Sequence, residues 1–209
     1  MIKSKKTSDM VKTALFIALI ILLSVTPLGY IPLGAINATT IQMPVIIGAV
    51  LFGWKKGAFL GGVFGLTSLI KNTLQPNATS FVFSPFIPVF GEESGSFWAI
   101  IISLLPRVMI GICAAGVFSL LSKMKLNKTI ASAAAGFCGS LTNTVLVMGG
   151  IYLFFGESYS AAKDIAYNTL MTAVSATITG AGITEAIVSA VICGAVCTAL
   201  FKYMKKENR

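Results

Sequence analysis

Three polar side chains stand where the chain is otherwise apolar. Arg107 follows Pro106 inside the apolar stretch from Phe97 to Leu121. A guanidinium in bilayer hydrocarbon is costly, so it pairs with another protein group, faces water, or binds something of opposite sign. Arg107 lies ten residues in from Phe97, about 15 Å of helix. Asn143 lies twelve residues before Phe155, about 18 Å by the same rise, and Glu185 falls in the outer third of the last apolar segment. Side chains from three helices thus reach similar depths from one face, which is what a pocket open to that face requires. Arginine's planar fork binds carboxylates bidentately, so the chemistry in prospect is recognition of an anion.

Other arrangements of the same residues stand beside that one. Arg107 and Glu185 could form a buried ion pair while Asn143 bonds a backbone carbonyl. In a mixed arrangement, Glu185 orients Arg107 and the guanidinium presents its remaining donors to a ligand carboxylate. Thr40 and Gln42 open the second helix, and Lys71 and Asn72 close the third. They are candidates for the mouth of the same cavity, and helix capping or headgroup contact accounts for them equally well.

The elements that must position these groups follow from composition. The 209 residues are 56% hydrophobic and only 11% charged, against roughly 25% charged in soluble domains. An integral membrane protein in one compact helical domain, residues 1–209, is expected. Apolar runs mark spans near 11–28, 41–54, 57–71, 97–122, 129–155 and 177–203. The second and third are short and are joined tightly through Gly53, Trp54, Lys55, Lys56 and Gly57.

The charges test this layout. Lys3, Lys5, Lys6 and Lys12 precede the first span, and Lys55 and Lys56 lie in the second connection. Lys123, Lys125 and Lys128 lie in the fourth connection, and Lys202, Lys205, Lys206 and Arg209 close the chain. With six spans all of these fall on one face, which the positive-inside bias makes cytoplasmic, together with both termini. The opposite face carries Lys71, Lys163 and the acids Glu92, Glu93, Glu157 and Asp164. The first segment is expected to remain as a helix, because no small-x-small cleavage site follows it.

The net charge of +9 is therefore membrane topology, and nucleic acid is not an expected partner. There is no histidine, and Cys113, Cys138, Cys193 and Cys197 lie in apolar segments without zinc-type pairing. No metal and no cofactor is expected. Neither G-x-x-x-x-G-K-S/T, H-E-x-x-H nor G-x-S-x-G occurs, so an enzyme is not expected. Nor is there a convincing inverted repeat with paired broken helices, the usual mark of a carrier that works alone. If the protein moves a solute, the energy comes from a partner.

Two outer connections look functional. Residues 29–40 are uncharged and hold two prolines, and residues 72–96 hold Pro76, Pro85 and Pro88 with Phe81, Phe83, Phe86 and Phe90. A loop of that length rich in aromatics suits a lid that packs on something. Small residues recur every four positions in several helices, including Gly57, Gly61 and Gly65, where they let backbones approach closely. Ala14 and Ala18 repeat the pattern on the first helix, which could carry its small face outward to a partner.

Five stretches together carry a family resemblance: Ala14-Leu15-Phe16-Ile17-Ala18, Thr40 to Ala49 (TIQMPVIIGA), Gly57 to Leu69 (GAFLGGVFGLTSL), Pro106 to Gly111 (PRVMIG) and Leu141 to Leu146 (LTNTVL). Their order across six helices resembles the substrate-binding S component of energy-coupling factor (ECF) vitamin transporters, most of all the pantothenate-type branch. The resemblance implies a vitamin-capturing subunit that joins a transmembrane coupling protein and two cytoplasmic ATPases. It implies that Ala14 and Ala18 meet the coupling protein, and that residues 29–40 gate a site near the outer surface. Pantothenate, with one carboxylate, hydroxyls and an amide, would suit Arg107 and Asn143. Riboflavin, thiamin, folate or pyridoxine types are the alternative vitamins, and Tyr152, Phe154 and Phe155 leave room for an aromatic one. A self-sufficient small carrier or channel, or a scaffold in which Arg107 and Glu185 simply pair, are the alternatives of other classes.

Overall fold

The computed structural model describes residues 2–33 and 36–207. Arg209 and the tip of the first outer connection lie outside the described residues, as do the side chains of Lys3, Lys5, Lys6, Lys205 and Lys206. The chain is almost wholly helical. In order it forms α1 (Ile2–Val25), a small hairpin of β1 (Tyr30–Leu33) and β2 (Ile36–Thr39), α2 (Gln42–Phe52) and α3 (Trp54–Leu74). Then follow α4 (Trp98–Lys123), α5 (Lys128–Ala162), α6 (Tyr167–Thr177) and α7 (Ile183–Glu207). Among the described residues, four stretches are long and apolar enough to cross a bilayer: Thr7–Val25, Trp98–Lys123, Lys128–Ala162 and Tyr167–Met204.

Several boundaries differ from those the apolar runs suggest, each for a physical reason. Within residues 29–40, Tyr30–Leu33 and Ile36–Thr39 pair as antiparallel strands, with Tyr30 opposite Thr39 and Leu33 opposite Ile36. Helix α2 is only 11 residues long, so it covers about 16 Å of a hydrocarbon layer of roughly 30 Å. Gly53 then turns the chain into α3 with φ of 86°, a conformation that a Cβ would disfavour. Helix α5 runs past the expected end at residue 155 to Ala162, with a kink at Phe155 where φ and ψ leave the helical region (−132°, 17°).

The last helix begins ten residues earlier than expected, because α6 and α7 are joined by a π-helical turn, Ile178–Gly182. Burial explains that turn. Leu170 and Val174 are buried on α6, and Gly182, Ala186, Ser189, Cys193 and Cys197 on the helix beyond. Eight residues separate Val174 from Gly182, which on an α-helix would overshoot two turns by about 80°. One i→i+5 turn takes up the extra residue and keeps the apolar stripe on one face.

Helix α2 sits centrally, against α1, α3, α4, α5 and α7. Phe16, Ile20, Ile46, Val50, Leu60, Phe64, Ile110 and Cys193 belong to the shared core. Asp9 of α1 pairs with Lys56 of α3 at 3.3 Å. Phe118 of α4 stacks on Phe201 of α7 at 5.8 Å, and Lys128 of α5 lies over the same ring at 5.0 Å. These contacts gather the starts of α1, α3 and α5 and the ends of α4 and α7 at one basic end of the bundle. At the other end, Phe81 meets Phe155 edge-on at 5.8 Å and Trp98 stacks on Phe154 at 4.0 Å.

The closest packing joins α3 to α4. A Cβ on Gly61 would overlap the backbone oxygen of Arg107, and one on Gly111 the oxygen of Gly57. Where hydrocarbon surrounds the helices, such close approach supplies much of the attraction between them. It also brings the middle of α3, Gly61 to Phe64, beside Arg107.

Candidate functional site

Helix α4 places Arg107 through its own break. Pro106 has no N–H, so the carbonyl of Ile102, four residues earlier, loses its helical donor. Arg107 Nη1 donates to that oxygen at 2.8 Å, and one of the five guanidinium donors thereby repairs the helix. The group is also flanked by two rings, Phe64 at 5.6 Å and Phe83 at 5.1 Å from Cζ, a cation–π arrangement that holds its plane. Arg107 is 7% exposed.

Beside it lies a cavity of about 490 Å³, within the range of roughly 300–1,000 Å³ common for small-molecule sites. Arg107, Lys71, Asn72, Asn143, Thr39 and Phe83 are among its lining residues, with Ser68, Gln75, Asn77, Thr144, Val147 and Met148. Two cations and no carboxylate appear among these, so the lining favours an anion. Polar amides and hydroxyls surround the cations, and Phe83, Val147 and Met148 add apolar surface. Asn143 is 9% exposed, and its Oδ1 finds no hydrogen-bond partner among the described residues. A buried acceptor left so is costly, and Asn143 is itself among the residues that line the cavity.

The long loop between α3 and α4 is a wall of this cavity. Ser80 Oγ donates to Asn72 Oδ1 at 2.9 Å and accepts from the Asn77 amide at 2.9 Å, while Thr73 and Ser84 hydroxyls meet at 2.7 Å. Phe81 is buried against Phe155, and Val82 and Val89 are buried with it. Phe86 and Phe90 point outward instead, exposed.

The comparisons with known proteins bear on what such a cavity serves. The family model described as "ECF transporter, substrate-specific component" matches residues 8–197. The chain belongs to that ECF transporter family. It is 37% identical over 196 residues, 90% of this chain and 97% of the relative, to "Pantothenic acid transporter PanT" of Lactococcus lactis subsp. cremoris. It is 32% identical over 157 residues, 72% of this chain and 69% of the relative, to "Pantothenate transporter PanT" of Leuconostoc mesenteroides subsp. mesenteroides. As an ECF substrate-specific component it is a multi-pass membrane protein of a transporter family.

In this ECF component the sequence candidates separate into three groups. Arg107, Asn143 and Asn72 converge on the cavity. Glu185 and Arg107 form no ion pair with one another; Glu185 Oε1 accepts the backbone N–H of Thr39 at 2.9 Å. Gln42 and Thr40 lie elsewhere. Gln42 is 1% exposed, and its Nε2 donates to Ser140 at 2.9 Å and Ser189 at 3.3 Å, tying α2 to α5 and α7. Thr40 donates from its hydroxyl to the Leu28 carbonyl and closes the root of the hairpin. Ala14 and Ala18 are exposed on α1, while Phe16, Ile20 and Ser24 are buried on its other side. Residue type does not mark Ser68, Gln75 and Asn77 as lining groups, since loop amides and helix-end hydroxyls are ordinary at a membrane surface, whereas Phe83 belongs to the aromatic loop expected to pack on something.

Proposed function

We propose that this ECF substrate-specific component captures pantothenate at the outer membrane face as one six-span domain with both termini cytoplasmic. The observation that carries the reading is a cavity lined by Arg107 and Lys71 with no acid among its lining. In this reading both take the vitamin's carboxylate, Arg107 through its fork. Asn143, Asn72 and Thr144 offer partners for hydroxyls and the amide, and Phe83, Val147 and Met148 receive the dimethyl group. The PanT relatives support the same choice of vitamin. The protein is a binding subunit without enzymatic chemistry, energised by a transmembrane coupling protein and two cytoplasmic ATPases.

Thermal unfolding of the purified protein against a panel of vitamins tests the choice. Pantothenate at 100 times its Kd stabilises the folded state by about 2.7 kcal/mol, a rise of roughly 5–10 °C for a chain of this size. Riboflavin, thiamin, folate, biotin and pyridoxine are expected to leave the midpoint in place. A rise with one of these and none with pantothenate overturns the reading.

Asn143→Leu removes the buried acceptor while filling similar volume. A neutral hydrogen bond is worth about 0.5–1.5 kcal/mol, so affinity falls roughly three- to tenfold, as read by calorimetric titration. Thermal stability without ligand should hold or rise, because an unsatisfied buried group has been removed.

The exposed faces of Ala14 and Ala18 are proposed to meet the coupling protein. Ala18→Trp is expected to leave pantothenate affinity unchanged and to abolish ATP-driven uptake in vesicles holding the whole transporter. Normal uptake by that variant would remove the face from the interface.

A further inference from the structure

Glu185 stands apart from the cavity lining, yet it makes a long-range contact with it. Its carboxylate accepts the Thr39 amide across 146 positions of sequence, and Thr39 lines the cavity at the end of β2. Among the described residues, the other hydrogen bonds at the root of the hairpin are local: Thr40 N–H to Gly29, the Thr40 hydroxyl to Leu28, and Met43 N–H to Thr40. They fix the hairpin to its own neighbours and to the start of α2. Among the described residues, Glu185 is the side chain that ties it to α7.

The helix that carries Glu185 is built to hold it there. The π-helical turn Ile178–Gly182 lies three residues before it, and β2 lies against that turn. Gly182 packs on Thr144, where a Cβ would come within 2.8 Å of Thr144 Cγ2, and Thr144 is itself a lining residue. The turn therefore touches the hairpin on one side and the cavity wall on the other. A π turn holds fewer favourable contacts per residue than an α turn and recurs where function requires adjustment.

We infer that Glu185 is a positioning residue that clasps β2 at Thr39 and so holds the strand end in the cavity wall beside the ligand. It acts through the strand and not by touching the vitamin. The inference rests on the reading of the cavity as the vitamin site. Breaking the clasp frees the strand end, so ligand leaves faster while the groups that grip it stay in place.

Two measurements on the full-length protein separate the clasp from that reading. Hydrogen exchange at the Thr39 amide, without ligand, is expected to quicken about tenfold or more in Glu185→Ala, the loss of one charge-assisted bond. Dissociation of radiolabelled pantothenate should quicken by a similar factor, with association unchanged or faster. Glu185→Gln keeps an acceptor oxygen, so both rates should move by only about threefold. Exchange unchanged in Glu185→Ala overturns the clasp, and so does faster exchange with unchanged dissociation. A loss of affinity in Glu185→Ala carried by slower association, with dissociation unchanged, also overturns it, since a clasp acts on the escape of bound ligand. If the unaltered protein fails to bind pantothenate, the choice of vitamin falls, and the exchange rate at Thr39 still decides whether Glu185 holds the strand.

Discussion

Arg107→Ala is expected to weaken pantothenate binding by roughly 30-fold to several thousandfold, the cost of leaving a buried carboxylate without its cation, about 2–5 kcal/mol. The same replacement strips the Ile102 carbonyl of the donor that Pro106 denies it. Stability should therefore fall as well, by about 1–3 kcal/mol, or roughly 2–10 °C in the unfolding midpoint. The two effects are separable with Arg107→Lys. Lysine retains the charge and loses the fork, so binding should weaken by more than about tenfold while remaining measurable. Calorimetric titration of each variant, beside its unfolding curve, checks both. A scaffold role for Arg107 predicts the loss of stability with unchanged affinity.

Gly61→Leu should be among the most damaging single changes in the bundle. The backbone oxygen of Arg107 occupies the place its Cβ would need, so α3 and α4 must part along their closest seam. Overpacking in a core costs about 1–3 kcal/mol, and a clash with backbone lies at or above the top of that range because the obstacle cannot change rotamer. A fall of roughly 6–12 °C in the unfolding midpoint follows, with a lower yield of monodisperse protein in detergent. The neighbouring Gly62→Ala provides the contrast: the nearest atom to its Cβ is Val108 Cγ2 at 4.0 Å. That variant should unfold within about a degree or two of the parent, since surface changes fall within about 0.5 kcal/mol. Equal tolerance of both changes would contradict the packing described for α3 and α4.

What could be read from residue types follows the solvent. Hydrocarbon makes a polar side chain conspicuous, so Arg107 and Asn143 stand out in the chain and their depths agree with the cavity that joins them. Water at the membrane surface hides the remainder. Gln75, Asn77 and Thr39 are unremarkable in loops, and only the folded chain brings them to Arg107. Glu185 is visible by type, but its partner is a backbone amide, which every residue except proline carries. Gln42 reads as a mouth residue because it begins a helix; the helix begins inside the bundle, beneath the hairpin.

The same logic explains the boundaries of the helices. Residues 157–164 include Glu157, Ser158, Ser160, Lys163 and Asp164, so they read as a connection, yet a kink at Phe155 lets α5 continue as a helix with Ser160 buried and Tyr159 packed on the core. The π turn was marked only by the eight-residue spacing of Val174 and Gly182, two small buried positions among many. The four long apolar stretches, by contrast, are set by bilayer thickness and are plain in the sequence.

The central claim is that the cavity beside Arg107 recognises a carboxylate, and the ligand itself can test it. Calorimetric titration of the unaltered protein compares pantothenate with the analogue in which the carboxylate is reduced to a primary alcohol. Binding of the alcohol weaker by roughly 30-fold or more, with the difference largely gone in Arg107→Ala, is the expected result. Equal affinity for acid and alcohol in the unaltered protein would contradict the claim.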